Sequence, residues 1–190
     1  MENKKLIIVE GAQGTGKSTL TNYLRDHMSD TNLQRLSGHP IKTSVGRTVS
    51  TTMYDAQIQY LQIMQYIPMN IIYDRLFFSE EVYARLGFKE YQFTDQYIRL
   101  TEELVKLNYD IHYLALYLNN TDKFIERLKR DGKGHHNYQA FSLESSIKQQ
   151  NMYMQIADEL EQYSNINVHR VAMDEEVEKN QKIKKLFNIK

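Results

Sequence analysis

The chain has 190 residues, 24 basic side chains against 24 acidic ones, and no cysteine. That length suits one domain with a core of its own. The balanced charge excludes a broad basic field for a polymeric nucleic acid, and the missing thiols exclude disulfides and thiolate metal sites.

The first residues, Met1 to Leu6, pass into a strand at 5–10 without the apolar region of a secretory signal, and no apolar run reaches the roughly 20 residues of a membrane span. A cytoplasmic protein that handles small phosphorylated ligands, with no membrane partner, is the expectation. The strand feeds Gly11-Ala12-Gln13-Gly14-Thr15-Gly16-Lys17-Ser18-Thr19, after which Leu20, Tyr23, Leu24 and Met28 recur at helical spacing. Strand, glycine-rich turn and helix together make a phosphate cradle, because glycines let backbone N–H groups turn inward onto an anion. In such a P-loop, Lys17 reaches the β and γ phosphates of ATP and the Ser18 hydroxyl holds Mg²⁺.

Further apolar runs at 33–37, 70–74, 111–118 and 166–173 alternate with helical patterns. Buried strands separated by helices imply an α/β P-loop NTPase fold, a five-stranded parallel sheet with helices on both faces, in a single domain over 1–190. Ligands of such sheets gather at the carboxyl ends of the strands. There the run Asn70-Ile71-Ile72-Tyr73 ends in Asp74-Arg75, an acid suited to Mg²⁺ and a guanidinium suited to a phosphoryl group. A helix cap for Asp74 and a surface ion pair for Arg75 are the alternatives. Lys129 to Gln139 is polar with two glycines and reads as a surface loop, and its adjacent His135 and His136 lack the spacing of a metal site. Residues 174–190 read as a closing amphipathic helix.

These residues establish a nucleotide-binding loop common to switches, motors and kinases. The segment Asp74-Arg75-Leu76-Phe77-Phe78-Ser79-Glu80-Glu81-Val82-Tyr83 narrows the choice, since it resembles the Asp-Arg segment of thymidylate kinases and, more loosely, the Glu-Arg-Ser segment of deoxynucleoside kinases. His39-Pro40-Ile41-Lys42 is similar to the family's proline followed by a basic acceptor contact. Lys129-Arg130-Asp131-Gly132-Lys133-Gly134-His135, with Tyr138 and Phe141, resembles the family's lid, here about 127–139.

The resemblance implies transfer of the ATP γ-phosphate to a deoxynucleoside monophosphate, with Mg²⁺ as cofactor. It implies catalytic roles for Lys17, Asp74, Arg75, Arg127 and Arg130, and acceptor contacts from Lys42, Tyr54, Arg75, Phe78 and Glu80. Aromatic residues at helical spacing, as in helix 52–66, equally belong to a core. No arginine stands between Arg47 and Arg75, where family members carry one that reads thymine, so a modified pyrimidine nucleotide also fits. The loop around Ala172-Met173-Asp174 would flank adenine, and a homodimer with helix 75–86 at its contact is a further implication.

Two alternatives stand beside this reading. A deoxynucleoside kinase needs a base for a 5′-hydroxyl, and Ser37 to Thr43 contains no acid, although Asp74 or Glu80 could serve. A nucleotide-dependent switch or binding module would need neither acceptor cations nor a lid.

Overall fold

The computed structural model describes residues 4–130 and 142–189. Five strands, β1 (Lys5–Gly11), β2 (Thr31–Arg35), β3 (Asn70–Asp74), β4 (Asp110–Tyr117) and β5 (Ile166–Ala172), form one parallel sheet in the order β2-β3-β1-β4-β5. The α/β class and the five-stranded parallel sheet agree with the sequence reading. β2 starts two residues earlier than expected, and Leu36 instead follows it as coil whose N–H donates to the Asp74 carbonyl at 3.2 Å.

The helices are α1 (Lys17–His27), α2 (Ser44–Met64), α3 (Phe77–Arg85), α4 (Thr94–Leu104), α5 (Lys123–Arg130), α6 (Leu143–Leu160) and α7 (Glu176–Phe187). Strand side chains alternate between the two faces, which explains why β1 is apolar at every position from Leu6 to Val9. Leu6 and Ile8 join one core with residues of α2, α3, α4 and α6, while Ile7 and Val9 join a second with residues of α1, α5 and α7.

α3 lies inside the first of these layers. Its residues from Phe77 to Val82 are all buried, so that part of the helix offers no surface for the dimer contact that the sequence suggested, and Tyr83 to Leu86 are partly buried. The physical reason is that α2, α4 and α6 pack around it, with the buried Glu80 and Glu81 held by Lys89 and Arg85. α2 begins at Ser44, well before the helix expected over 52–66. The expected lid residues 131–139, with Lys133, His135, His136 and Tyr138, together with Phe141, lie outside the described residues. Among the described residues, no helix is long and apolar enough to cross a membrane.

Candidate active site

At the carboxyl end of β1 the chain closes tightly against its neighbour strand. A Cβ on Gly11 would lie 2.8 Å from the Leu116 carbonyl oxygen and 2.9 Å from Thr15 Oγ1, so no larger residue fits. Gly14 (φ 82°) and Gly16 (φ 99°) take left-handed conformations that residues with a Cβ avoid. Thr15, fully buried, folds its hydroxyl back onto the Ala12 carbonyl at 2.8 Å. Lys17 Nζ donates to the carbonyls of Gly11 and Ala12, both at 2.7 Å, and so spans the loop's mouth.

The opposite side of the loop is held by Arg127 from α5. Its Nη1 donates to the carbonyls of Gly14 and Thr15 at 3.2 and 3.1 Å, and its Nη2 to Met173 at 3.3 Å. Because a trans peptide sets its N–H opposite its C=O, a Thr15 carbonyl turned to Arg127 sends the Gly16 N–H the other way, toward the cleft. Arg127 therefore shapes the cradle from behind.

Ser18 Oγ donates to Asp74 Oδ2 at 2.8 Å, which joins the first turn of α1 to the end of β3. A hydroxyl and a carboxylate this close are hard oxygen donors, and Mg²⁺ characteristically takes one or two such ligands with phosphate and water completing its shell. The residues present fit that ion. Arg35, in register with Asp74, brings its Nε to 3.8 Å of the same carboxylate and donates to Asn22 Oδ1.

Gln13, Gly14, Gly16, Lys17, Ser18 and Thr19 face Arg35, Asp74, Arg75 and Arg130 across a cleft of ≈ 410 Å³. Four cations meet one carboxylate there among the described residues. Gly11, Ala12 and Thr15 shape the loop from within and do not line the cleft.

Arg75 sits at φ 75°, a left-handed value uncommon for a residue with a Cβ. Its guanidinium donates to Tyr83 OH at 3.2 Å and Ser79 Oγ at 3.5 Å. Burial opposes its charge, but Tyr83, Tyr153 and Glu10 more than offset this and keep it protonated. Glu10, fully buried at the end of β1, accepts from Leu76 N–H at 2.8 Å and from Ser79 Oγ at 2.6 Å. Tyr153 OH lies 2.9 Å from the same serine oxygen. Burial pushes the Glu10 carboxyl up to about 7, against the pull of Ser79, Leu76, Arg75 and Lys17.

The acceptor residues read from sequence divide into two groups. Glu80 is buried beside the loop after β2: it accepts from Tyr91 OH, pairs with Lys89 Nζ at 3.2 Å, and a Cβ on Gly38 would stand 3.9 Å from its Oε2. Lys89 also donates to the His39 carbonyl at 3.0 Å, and His39 Nε2 lies 2.8 Å from Ser50 Oγ. Lys42, by contrast, is exposed and outside the lining of the cleft, although its carbonyl accepts from Glu90 N–H at 2.8 Å.

Phe78 and Tyr54 are corrected from acceptor contacts to core. Phe78 is 0% exposed, stacked on Phe77 at 4.2 Å and set edge-on to Tyr113 at 5.0 Å, so it has no surface for a ligand. Tyr54 is 2% exposed with its ring edge-on to Phe77 and Phe93. Burial, with Glu80 and Glu10 facing its hydroxyl, holds that hydroxyl protonated well beyond its ordinary range.

Sequence reading missed Glu10, Arg35 and Lys89. A charged residue near the end of an otherwise apolar strand was a signal for Glu10; Arg35 ends a polar edge strand that carries no such signal. Lys89 lies between α3 and α4 with no pattern around it.

Solved structures with this architecture are known. The chain is similar to deoxyadenosine kinase from M. mycoides with products dCMP and a flexible dCDP bound, at 18% identity over 97% of this chain and 100% of that one, with a TM-score of 0.62. It is also similar to thymidylate kinase from Candida albicans, at 17% identity over 97% and 92% of the two chains, with a TM-score of 0.58. The fold is that of the P-loop nucleoside and nucleotide kinases. No protein-family model matches the sequence, and no curated protein matches it. The cleft between Lys17 and Arg75 lies at the carboxyl ends of the central strand β1 and its neighbour β3, where ligands of such sheets bind.

Proposed function

We propose that the protein is an ATP-dependent kinase that transfers the γ-phosphate to a deoxynucleoside monophosphate. The observation that carries this reading is the meeting of Lys17, Arg35, Arg75 and Arg130 on one cleft. A triphosphate is served by the loop's N–H groups and Lys17, and Arg35 and Arg75 on the opposite wall supply charge for a second phosphate. Phosphoryl transfer asks mainly for two oxygens held in line and for stabilisation of spreading negative charge, which this arrangement supplies. Ser18 and Asp74 would hold Mg²⁺, which when bound neutralises charge on the donor phosphates.

In this reading Lys17 leaves the carbonyls of Gly11 and Ala12 for the β and γ oxygens, and Arg75 orients the acceptor phosphate opposite. Arg130 closes over the pair from the end of α5. Glu80, 1% exposed and engaged by Lys89 and Tyr91, lies off the cleft lining and acts on the acceptor side by holding the loop around Gly38, not by touching substrate. A monophosphate oxygen is already anionic, so no general base is required.

A second reading, a deoxynucleoside kinase, draws support from Asp74, a carboxylate on the cleft wall able to take a hydroxyl proton. It is also supported by the likeness to the M. mycoides enzyme. The two separate in one assay: ADP release from Mg-ATP with each natural nucleoside and deoxynucleoside, and each of their monophosphates, offered singly. The proposal expects turnover with a monophosphate and its loss in Lys17→Ala. Turnover with unphosphorylated nucleosides alone would replace it with the second reading. ADP release that no acceptor stimulates would reject both in favour of a nucleotide-dependent switch.

A further inference from the structure

Arg75 occupies a left-handed backbone conformation that strains a non-glycine residue and persists only when its surroundings hold it. Two consecutive residues of β1 supply that hold. Arg75 N–H donates to the Val9 carbonyl at 3.2 Å, and the next amide, Leu76 N–H, donates to the Glu10 side chain at 2.8 Å. The strand ladder ends here, so the buried Leu76 amide has no carbonyl partner and needs a side-chain acceptor. The second Glu10 oxygen takes the Ser79 hydroxyl at 2.6 Å. That fixes the serine proton on Glu10, so that Tyr153 donates to Ser79 and the serine's remaining lone pair faces Arg75 Nη1 at 3.5 Å.

We propose that Glu10 is a positioning residue for the acceptor side of the reaction: its carboxylate, shared between Leu76 N–H and Ser79, locks the left-handed turn that aims the Arg75 guanidinium into the cleft. Glu10 is itself fully buried and outside the lining of the cleft, so it acts through Arg75 and not on substrate. It also immediately precedes Gly11, which ties the placement of the acceptor cation to the strand that carries the nucleotide loop. The inference rests on the kinase reading above.

The test is a double-mutant cycle with dAMP, dCMP, dGMP and dTMP as acceptors. Glu10→Gln keeps the shape and an acceptor for Leu76 while removing the charge. It is expected to raise the KM of the acceptor by about tenfold or more and to change the KM of Mg-ATP by less than twofold. In an Arg75→Ala background the same substitution is expected to add nothing. Equal losses in both backgrounds, or a parallel loss of ATP affinity, would overturn the proposal. Ser79→Ala, which leaves the Leu76 bond in place, is expected to reproduce a smaller part of the same acceptor-side effect, and an effect on ATP instead would count against it. Exchange of the Leu76 amide needs no turnover: at least tenfold faster exchange in Glu10→Ala supports the tether, and unchanged exchange refutes it. A wild-type protein that turns over no acceptor refutes the kinase reading, whereas an active wild-type with an additive cycle refutes the role of Glu10 alone.

Discussion

Gly46, the third residue of α2, is where the helix passes under the loop that carries His39 and Lys42. Replacing it with alanine sets two effects of opposite sign against each other. Alanine favours a helix over glycine by up to about 1 kcal/mol. The added Cβ, however, would stand 2.9 Å from His39 Cε1 and 3.0 Å from the Ile41 carbonyl carbon, and nearer still to the Ile41 oxygen. Ordinary contact begins near 3.4 Å, so at its closest point, the Ile41 oxygen, the loop must retreat by about an ångström. The loop is not free to do so, because Lys89 grips the His39 carbonyl and Ser50 engages the His39 ring. Overpacking of this kind costs about 1–3 kcal/mol, which leaves a net loss of up to about 2 kcal/mol after the gain in helix propensity. For a chain of this length that is a fall of up to roughly 8 °C in Tm. The same retreat moves the backbone around Glu80, so the KM of the acceptor should rise while that of ATP holds. Thermal melts and steady-state kinetics on Gly46→Ala check both. A raised Tm with unchanged acceptor KM would show that the loop yields freely and that the packing argument is wrong.

Arg127→Ala should weaken Mg-ATP binding by about tenfold, since it frees the Gly14 and Thr15 carbonyls and lets the cradle relax; calorimetry with ADP measures it. Unchanged affinity with a lower kcat would instead assign Arg127 to the transferring group. Acid should destabilise the protein through His169. Burial, with His112 and Lys182 beside it, lowers its proton affinity so that it titrates at about 4, while the unfolded chain takes up that proton near 6.5. The contribution is therefore whole above about 6.5 and is lost as pH falls toward 4. Glu10, raised to about 7, acts in the opposite sense between about 4.5 and 7, so the readout is the difference between wild-type and His169→Gln melts across that range. The difference should vary with pH, and a constant one would refute the assignment.

The sheet and its phosphate loop were legible because both depend on local spacing: four consecutive buried apolar residues in β1, then glycines at the positions where φ turns positive. β2 was displaced because an edge strand buries little, and its Thr31 and Asn32 carry no apolar signal while Leu36, just beyond it, does. Phe78 and Tyr54 were misassigned because helical spacing reports a covered face without saying what covers it. α3 turned that face to aromatic neighbours, not to a ligand. The pairing of Asp74 with Ser18, 56 positions apart, could be anticipated from the two motifs. The grip of Lys89 on Glu80 and the His39 loop could not, because it depends on how the chain between α3 and α4 returns to the sheet.

The way Lys17 rests in the loop has a bearing on what the protein admits. The Lys17 ammonium bonds to the carbonyls of Gly11 and Ala12, so the loop's own backbone fixes where that charge stands, and an anion drawn to it has to compete with those carbonyls. One oxygen competes poorly, whereas linked phosphates bring several oxygens at once. On the kinase reading, the loop therefore favours anions whose charges arrive together.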